Sequence, residues 1–368
     1  CRESVLDKRT YVLCDSLTAT DASYLVEPVD GLWLLAIDGG VYLPKEMKDG
    51  KWTYQGSSAG YNLVLKHKPF LLPWVRKVVE EARKRHKTLV AFSHYPLVDF
   101  NDGVSESVRR MWGDRRFDLH RVPEAEVSEA FLQAGLCLHF AGHMHVNDTG
   151  IWEGKDGKHL YNIQVPSIAT YVPAYKILTI ESDEVFRVET VTLDTVPGFD
   201  SLFPLYRAEY QSDSLRGHSP VWNKEILSAR TYGEFCDYQF RDLVRLRFIP
   251  RDLPESWRAC LDFTGARMLK AVSGEDKSED ADWTGWCMKD LVLDVYRLRY
   301  AERLALKDIP ETRLAAYRYL FERARISPLR SAEVEIVNGL GALFLAFLNG
   351  EPCQNFVIDL EKDTITGD

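Results

Sequence analysis

The chain has 368 residues, 45% of them hydrophobic and 12% aromatic, which is enough to bury the cores of two domains. A formal net charge of -9 at pH 7 excludes nucleic-acid binding as the main task, because phosphate backbones demand concentrated Lys and Arg. It leaves open a phosphate substrate held by metal ions, whereas 7 scattered cysteines without a Cys-x-x-Cys pair exclude a disulfide framework and a zinc ribbon.

In chain order, Tyr11-Val-Leu-Cys-Asp15 and residues 23–28 are short β-prone runs. Asp30-Gly31 is a turn signal ahead of an apolar strand over Leu32–Ile37, so residues 23–38 read as a hairpin. Asp38-Gly39-Gly40 closes that strand, and a turn-forming carboxylate is the plain reading of Asp38. Residues 45–61 are rich in Gly, Ser, Lys and Tyr and predict a surface loop or small ribbon. Pro73 opens a helix over residues 74–86, with Trp74, Val75, Val78, Val79 and Ala82 on one face and a basic last turn. A strand over residues 88–92 follows, and strand, helix, strand implies a crossover packed on a sheet.

Residues 101–126 are polar. A short helix over residues 127–133, stopped by Gly135, leads into the apolar run 136–141 that carries His139, read as a packed or hydrogen-bonded strand histidine. Cys137 in the same run reads as an inert buried thiol. Gly154-Lys-Asp-Gly157 is a hairpin-like turn, and residues 160–165, 174–180 and 185–193 complete a β-rich meander.

Two of these strands break into loops that carry histidine just where the apolar pattern stops. They are Ser93-His-Tyr-Pro96 and Gly142-His-Met-His145. In extended backbone, residues two apart point to one side, about 6.6 Å apart, so His143 and His145 can converge on one metal or a close metal pair. His94 joins them if the strand ending at Ser93 lies beside the strand ending at Ala141.

These residues resemble the last two metal-binding motifs of calcineurin-like metallophosphoesterases. His94 matches the isolated histidine after a strand, and Gly142, His143 and His145 match the Gly-His-x-His signature. Residues 31–38 resemble the strand which that family places between its third and fourth motifs, and the resemblance covers residues 10–195. It implies the family's α/β/β/α sandwich, with the meander forming its second sheet. It also implies a phosphoesterase using two metal ions, manganese, iron or zinc, whose bridging hydroxide attacks a small phosphate mono- or diester. By position, His94 and His143 would bind one metal and His145 the other.

The family's earlier motifs, Asp-x-His, Gly-Asp-x-x-Asp and Gly-Asn-His-Asp/Glu, belong before Leu32, and none occurs there. The expectation is a fragment or processed product that lacks the amino-terminal half of the sandwich and is incomplete as an enzyme. The family's candidate general acid is the histidine of the third motif, so no catalytic residue is assigned. Residues 113–120 contain a Gly-Asp and an Asp-x-His, but in the wrong order, and their dense charge reads as a solvated loop. Two other classes stay open. One is a non-catalytic binding or regulatory module derived from a phosphoesterase; the other is a single-metal hydrolase with Asp38 or Asp148 as fourth ligand.

Pro197-Gly198 marks a boundary beyond which the hydrophobic period changes from two to about 3.6. Helices are expected over residues 221–235, 239–248, 257–272, 283–306, 310–325 and 332–348, with an acidic loop at 273–282. The division is therefore residues 1–197, a partial phosphoesterase domain, and 198–368, an all-α domain. Trp222, Tyr232, Phe235, Tyr238 and Phe240 read as core. Arg241, Arg245, Arg247 and Arg251 read as a solvated face or an anion contact. The apolar stretch 340–348 is too short to span a bilayer core of about 30 Å, so the chain reads as soluble with no membrane span. Oligomeric state and location have no signature in it.

Overall fold

The computed structural model describes residues 10–14, 17–217 and 222–367. Cys1, Asp15 and Val221, the first residue of one expected helix, lie outside the described residues. The fold is mixed α/β. Strands β1 (Thr10–Cys14) and β2 (Leu17–Thr20) form a ribbon, as do β5 (Tyr42–Lys48) and β6 (Lys51–Gly56). The main sheet contains β3 (Tyr24–Val29), β4 (Leu32–Ile37), β7 (Thr88–Ser93), β8 (Leu138–Ala141), β9 (Thr149–Glu153) and β10 (His159–Gln164), in the order β3-β4-β7-β8-β10-β9. Its four inner strands run parallel, and β3 and β9 are antiparallel edges. A second, antiparallel sheet runs β11 (Ala174–Ile180), β12 (Val185–Thr192), β13 (Asn355–Asp359), β14 (Thr364–Gly367).

Parallel inner strands are covered on both faces, which is why they read as nearly continuous apolar runs. On one face, Leu35, Ala91 and Leu160 pack with Leu71, Trp74, Val75, Val78 and Val79 of the helix Leu71–Lys84 and with Phe131 of the helix Ala125–Gln133. On the other, Val90, Leu138, Tyr161 and Ile163 meet Phe186, Val188, Phe356 and Ile358 of the second sheet. Each of these fully buried aliphatic side chains contributes about 1.5–3 kcal/mol relative to exposure.

The structure corrects several expectations. β10 belongs to the main sheet, not to the second-sheet meander, because it pairs in parallel with β8 and closes the β9 hairpin. The part after residue 198 is not all-α: β13 pairs on β12 and β14 on β13, which extends the second sheet and covers a β12 edge that would otherwise stay open. Pro73 is the third residue of its helix, not its opener, and is tolerated there because first-turn N–H groups have no intrahelical partner. The polar stretch hides a helix, Ser105–Trp112, held by only a few buried residues. Residues 117–119 are buried, not a solvated loop, because Asp118 is neutralised by Arg121 and Arg251.

Capping decides where the later helices begin. Thr231 accepts from Glu234 N and starts Tyr232–Leu243, so the expected helices at 221–235 and 239–248 merge and shift. Thr264 likewise starts Gly265–Ser273, splitting the expected 257–272 helix. Cys287 and Asp290 form a capping box for Met288–Ala301. Phe203–Leu215 is an additional helix, while Ala332–Leu348 stands as expected, with Ser331 as its cap. The helices share one large core with Phe100, Val108, Trp112, Phe117, Met144 and Val146 of the earlier part. Among the described residues no helix is long and apolar enough to cross a membrane, and Cys137, Cys236, Cys260, Cys287 and Cys353 are free thiols. Cys137 is only half-buried, but burial still raises its thiol pKa.

Gly150, in β9, is required by close approach. A methyl group there would fall 2.5 Å from the Asp99 carbonyl oxygen and 3.1 Å from Val98. Backbone cannot give way as a side chain can, so Gly150→Ala is expected to cost about 1–3 kcal/mol, read as a lower midpoint in urea unfolding.

Candidate metal centre

The parallel strands β4, β7, β8 and β10 all end on one side of the sheet, the usual place for ligands in open α/β sheets. Ser93 and Ala141 are paired across β7 and β8. The condition for His94 to approach the Gly-His-x-His loop is therefore met. His94 Nε2 and His143 Nδ1 lie 2.6 Å apart, with ring centroids at 4.5 Å, and the Tyr95 ring sits 4.5 Å from His143. At that separation one imidazole donates a proton to the other, and each nitrogen is free as a metal ligand only when that proton leaves.

Backbone and core hold this loop. His143 and His145 both have left-handed backbone, φ 61° and 56°, a conformation costly for non-glycine residues and found where surrounding structure enforces it. The enforcement is visible: Met144 and Val146, the alternate residues, are buried in the large core, so the histidines turn outward. His143 is half-buried and its Nε2 is buried without a hydrogen-bond partner. His94 and His145 are exposed.

Burial, followed by the charges of Arg121, His94 and His145, pulls His143 down to about 4. Burial, then His145 and Arg121, lowers His94. Both are neutral at pH 7, the ligand form of imidazole. Arg121 donates to Asp118 (3.0 Å) and Ser58 (3.3 Å), while its Nε is buried and unpartnered. Burial would raise Asp118, but Arg299, Arg251 and Arg121 outweigh it and hold the carboxyl below its ordinary value. Arg121 carried no signal in the sequence, because Ser58 and the histidines whose charge it opposes come from distant loops.

Below the histidines lies a buried polar chain. His139, fully buried, meets Ser93 Oγ at 3.0 Å through Nε2 and Asn162 Oδ1 at 2.8 Å through Nδ1, while Asn162 Oδ1 also accepts from Leu97 N at 2.9 Å. Asn162 Oδ1 can only accept, so His139 carries its proton on Nδ1. Burial pulls His139 down to about 4 from 6.5. The unfolded chain therefore takes up a proton below pH 6.5 that the folded chain refuses until about pH 4. Stability is complete above pH 6.5 and falls as pH drops through that window, by about 3 kcal/mol in all. A His139→Gln variant is expected to lose that part of the acid sensitivity, measured as ΔG of unfolding at pH 7 against pH 4.5.

Asp38 is fully engaged. Its Oδ1 accepts from Gly40 N (2.9 Å), and its Oδ2 accepts from Ala22 N (3.1 Å) and faces Lys68 Nζ (3.1 Å), which also pairs with Asp21 at 2.6 Å. It acts as a turn carboxylate. Asp148 turns inward and meets Asp102 and Glu302, with ligand oxygens all within 4.8 Å of one another. This is the one group of three metal-competent side chains among the described residues, and His145 forms no such trio with His94 and His143. His94 and His143 therefore meet as a pair, and no third His, Cys, Asp or Glu of the described residues completes a trio with them. This donor set does not supply the oxygen ligands of a second ion. Arg241, Arg245 and Arg251 are paired with Asp237, Asp242 and Asp252, and Tyr232, Phe235 and Phe240 lie in aromatic contacts of the helical layer.

No protein-family model matches the sequence, and no curated protein is similar to it. Among solved structures, a dimetal phosphatase from Danio rerio is similar over 47% of this chain and 60% of its own, at 14% identity and a TM-score of 0.28. A likeness that weak carries no argument about activity.

Proposed function

We propose that this chain carries the histidine ligands of a metal-dependent phosphoesterase centre. His94 and His143 hold one ion and His145 reaches a second, with manganese, iron or zinc suited to neutral imidazole. The observation that carries this reading is the contact of His94 with His143 at the ends of adjacent parallel strands, with a buried, unpartnered His143 Nε2 beside it. A bound metal would supply Lewis-acid polarisation of a phosphoryl oxygen. The chain's own contribution is to present neutral imidazoles, to hold them with a core-anchored loop, and to set Arg121, whose Nε has no partner, near them as a counter-charge for a small phosphorylated substrate.

The layering of helices, main sheet and second sheet supports a sandwich of the metallophosphoesterase type. We take residues 1–197 as the phosphoesterase-type unit and residues 198–368 as the part that covers it and completes its second sheet. Because the oxygen ligands of a second ion are not assembled beside the histidines, activity depends on donors beyond those present there.

Metal content per chain, together with hydrolysis of p-nitrophenyl phosphate and bis-p-nitrophenyl phosphate in manganese, iron or zinc, tests the proposal. Metal bound with a transition-metal preference and lost on replacement of the histidines supports it. A chain that binds none of the three at micromolar concentration is a binding or regulatory module instead.

A further inference from the structure

Behind the histidine loop is a polar cluster that the proposed chemistry does not use. Asp148 (2% exposed) and Glu302 (3% exposed) are buried beside the half-buried Asp102, and one ligand oxygen of each lies within 4.8 Å of the other two. Asp148 Oδ1 accepts from Thr149 N (2.7 Å) and Glu302 Oε2 accepts from Cys353 Sγ (2.9 Å). Their second oxygens, Asp148 Oδ2 and Glu302 Oε1, are buried and accept from no donor outside the trio; the two carboxyls face each other, so that a proton on Glu302 would bridge to Asp148. Asp102 rests against Gly350, where an added methyl group would come 2.6 Å from its Oδ1 and push the carboxylate aside.

The nearby cation does not satisfy these groups. Lys176 Nζ donates to Asn147 Oδ1 (2.7 Å), Cys353 O (2.6 Å) and Thr190 Oγ1 (3.0 Å), which are neutral acceptors. Three ionised carboxylates and one ammonium leave a net charge of -2, which one divalent ion balances. Oxygens bound at 2.3–2.6 Å to a calcium-sized ion lie at most about 5 Å apart, so the observed spacing lets all three residues reach one such ion. All-oxygen carboxylate donors select hard cations over the softer metals that prefer imidazole.

We propose that Asp102, Asp148 and Glu302 form a buried site for one hard divalent cation of the calcium class, separate in chemistry from the histidine centre. The site joins the loop before Ser105–Trp112, the segment that follows His145, and the turn after Met288–Ala301. Its occupant therefore clamps the Gly-His-x-His loop to the helical layer. Without it, the carboxyls must take up protons: burial raises Glu302 well above its ordinary value and, with Asp148, Asp99 and Glu351 adding to burial, Asp102 to about 9.

The test uses the full chain, stripped with EDTA and then equilibrated with calcium, magnesium or manganese chloride. About one calcium per chain by plasma mass spectrometry, and a rise in Tm of roughly 5 °C, are expected. Both should vanish in Asp148→Asn/Glu302→Gln and persist in His143→Ala. The amides mimic the protonated acids in shape, and Asp102→Asn alone serves as the comparison if the double variant does not fold. Magnesium or manganese acting in calcium's place, with the same dependence on the carboxylates, also supports a hard-cation site. No ion bound and no Tm response in the wild type would overturn the proposal in favour of shared protons, as would calcium retained by Asp148→Asn/Glu302→Gln. Neither result bears on the histidine centre, which is read by His143→Ala and transition metals.

Discussion

If the proposed histidine centre forms, replacing His143 by alanine is expected to remove transition-metal binding and any phosphoesterase turnover that depends on it. Loss of a residue that only orients a metal ligand typically costs 10–100-fold in affinity, and His143 is proposed as a ligand itself, so the loss should exceed about 100-fold. His143 Nδ1 faces His94 Nε2 at 2.6 Å and its other nitrogen has no protein partner, so the variant leaves His94 as a lone exposed imidazole. Isothermal titration with zinc or manganese, paired with phosphodiester hydrolysis, measures the effect. The fold should survive, because Met144 and Val146, not the histidines, anchor the loop in the core. Unchanged metal affinity in a folded His143→Ala protein would rule out the assignment.

The largest effect on stability is expected at Asp294. This carboxylate is fully buried and receives Arg297 Nη1 (2.9 Å), Arg313 Nη2 (2.9 Å) and the Tyr317 hydroxyl (3.0 Å). Burial raises its pKa, opposed by Arg313 and Arg297, so the charge is tolerated only because both arginines are there. Arg297, itself 1% exposed, continues the network to Asp237 on Tyr232–Leu243. Asp294→Ala would leave Arg297 without one of its two carboxylates and Arg313 unpaired. Removal of one partner from a buried ion pair costs about 3–5 kcal/mol, which corresponds to a Tm loss of roughly 5 °C in a protein of this size. Asp294→Asn keeps the shape and one acceptor and should lose less. Thermal unfolding of both variants gives the comparison; a loss below about 1 kcal/mol for Asp294→Ala would mean that water or neighbouring carboxylates repair the network.

The sequence by itself determined the local things. Apolar runs of strand length, each ending at a polar or glycine-containing loop, located β4, β7 and β8, and the residues flanking His94 and His143 mark strand ends without any tertiary information. The 3.6 period beyond Pro197 located a helical region, because burial on one face is written into neighbouring residues. Helix ends were less legible: Thr231, Thr264 and Cys287 act through single hydrogen bonds that compete with an apolar pattern running past them.

Only the tertiary structure decided what depends on residues far apart in the chain. The pairing of Ser93 with Ala141 is what brings His94 to His143. β13 is a strand because β12 offered an unpaired edge, and β14 because β13 then offered another; their own pattern does not distinguish them from a tail. Asp118 is buried because Arg251 reaches it from the helical layer. The carboxylate cluster joins Asp102 and Asp148 to Glu302, more than 150 positions later in the chain. No local pattern announces such a cluster, since a carboxylate in a loop is ordinarily solvated, and its meaning arises only when folding withdraws it from water beside others of like charge.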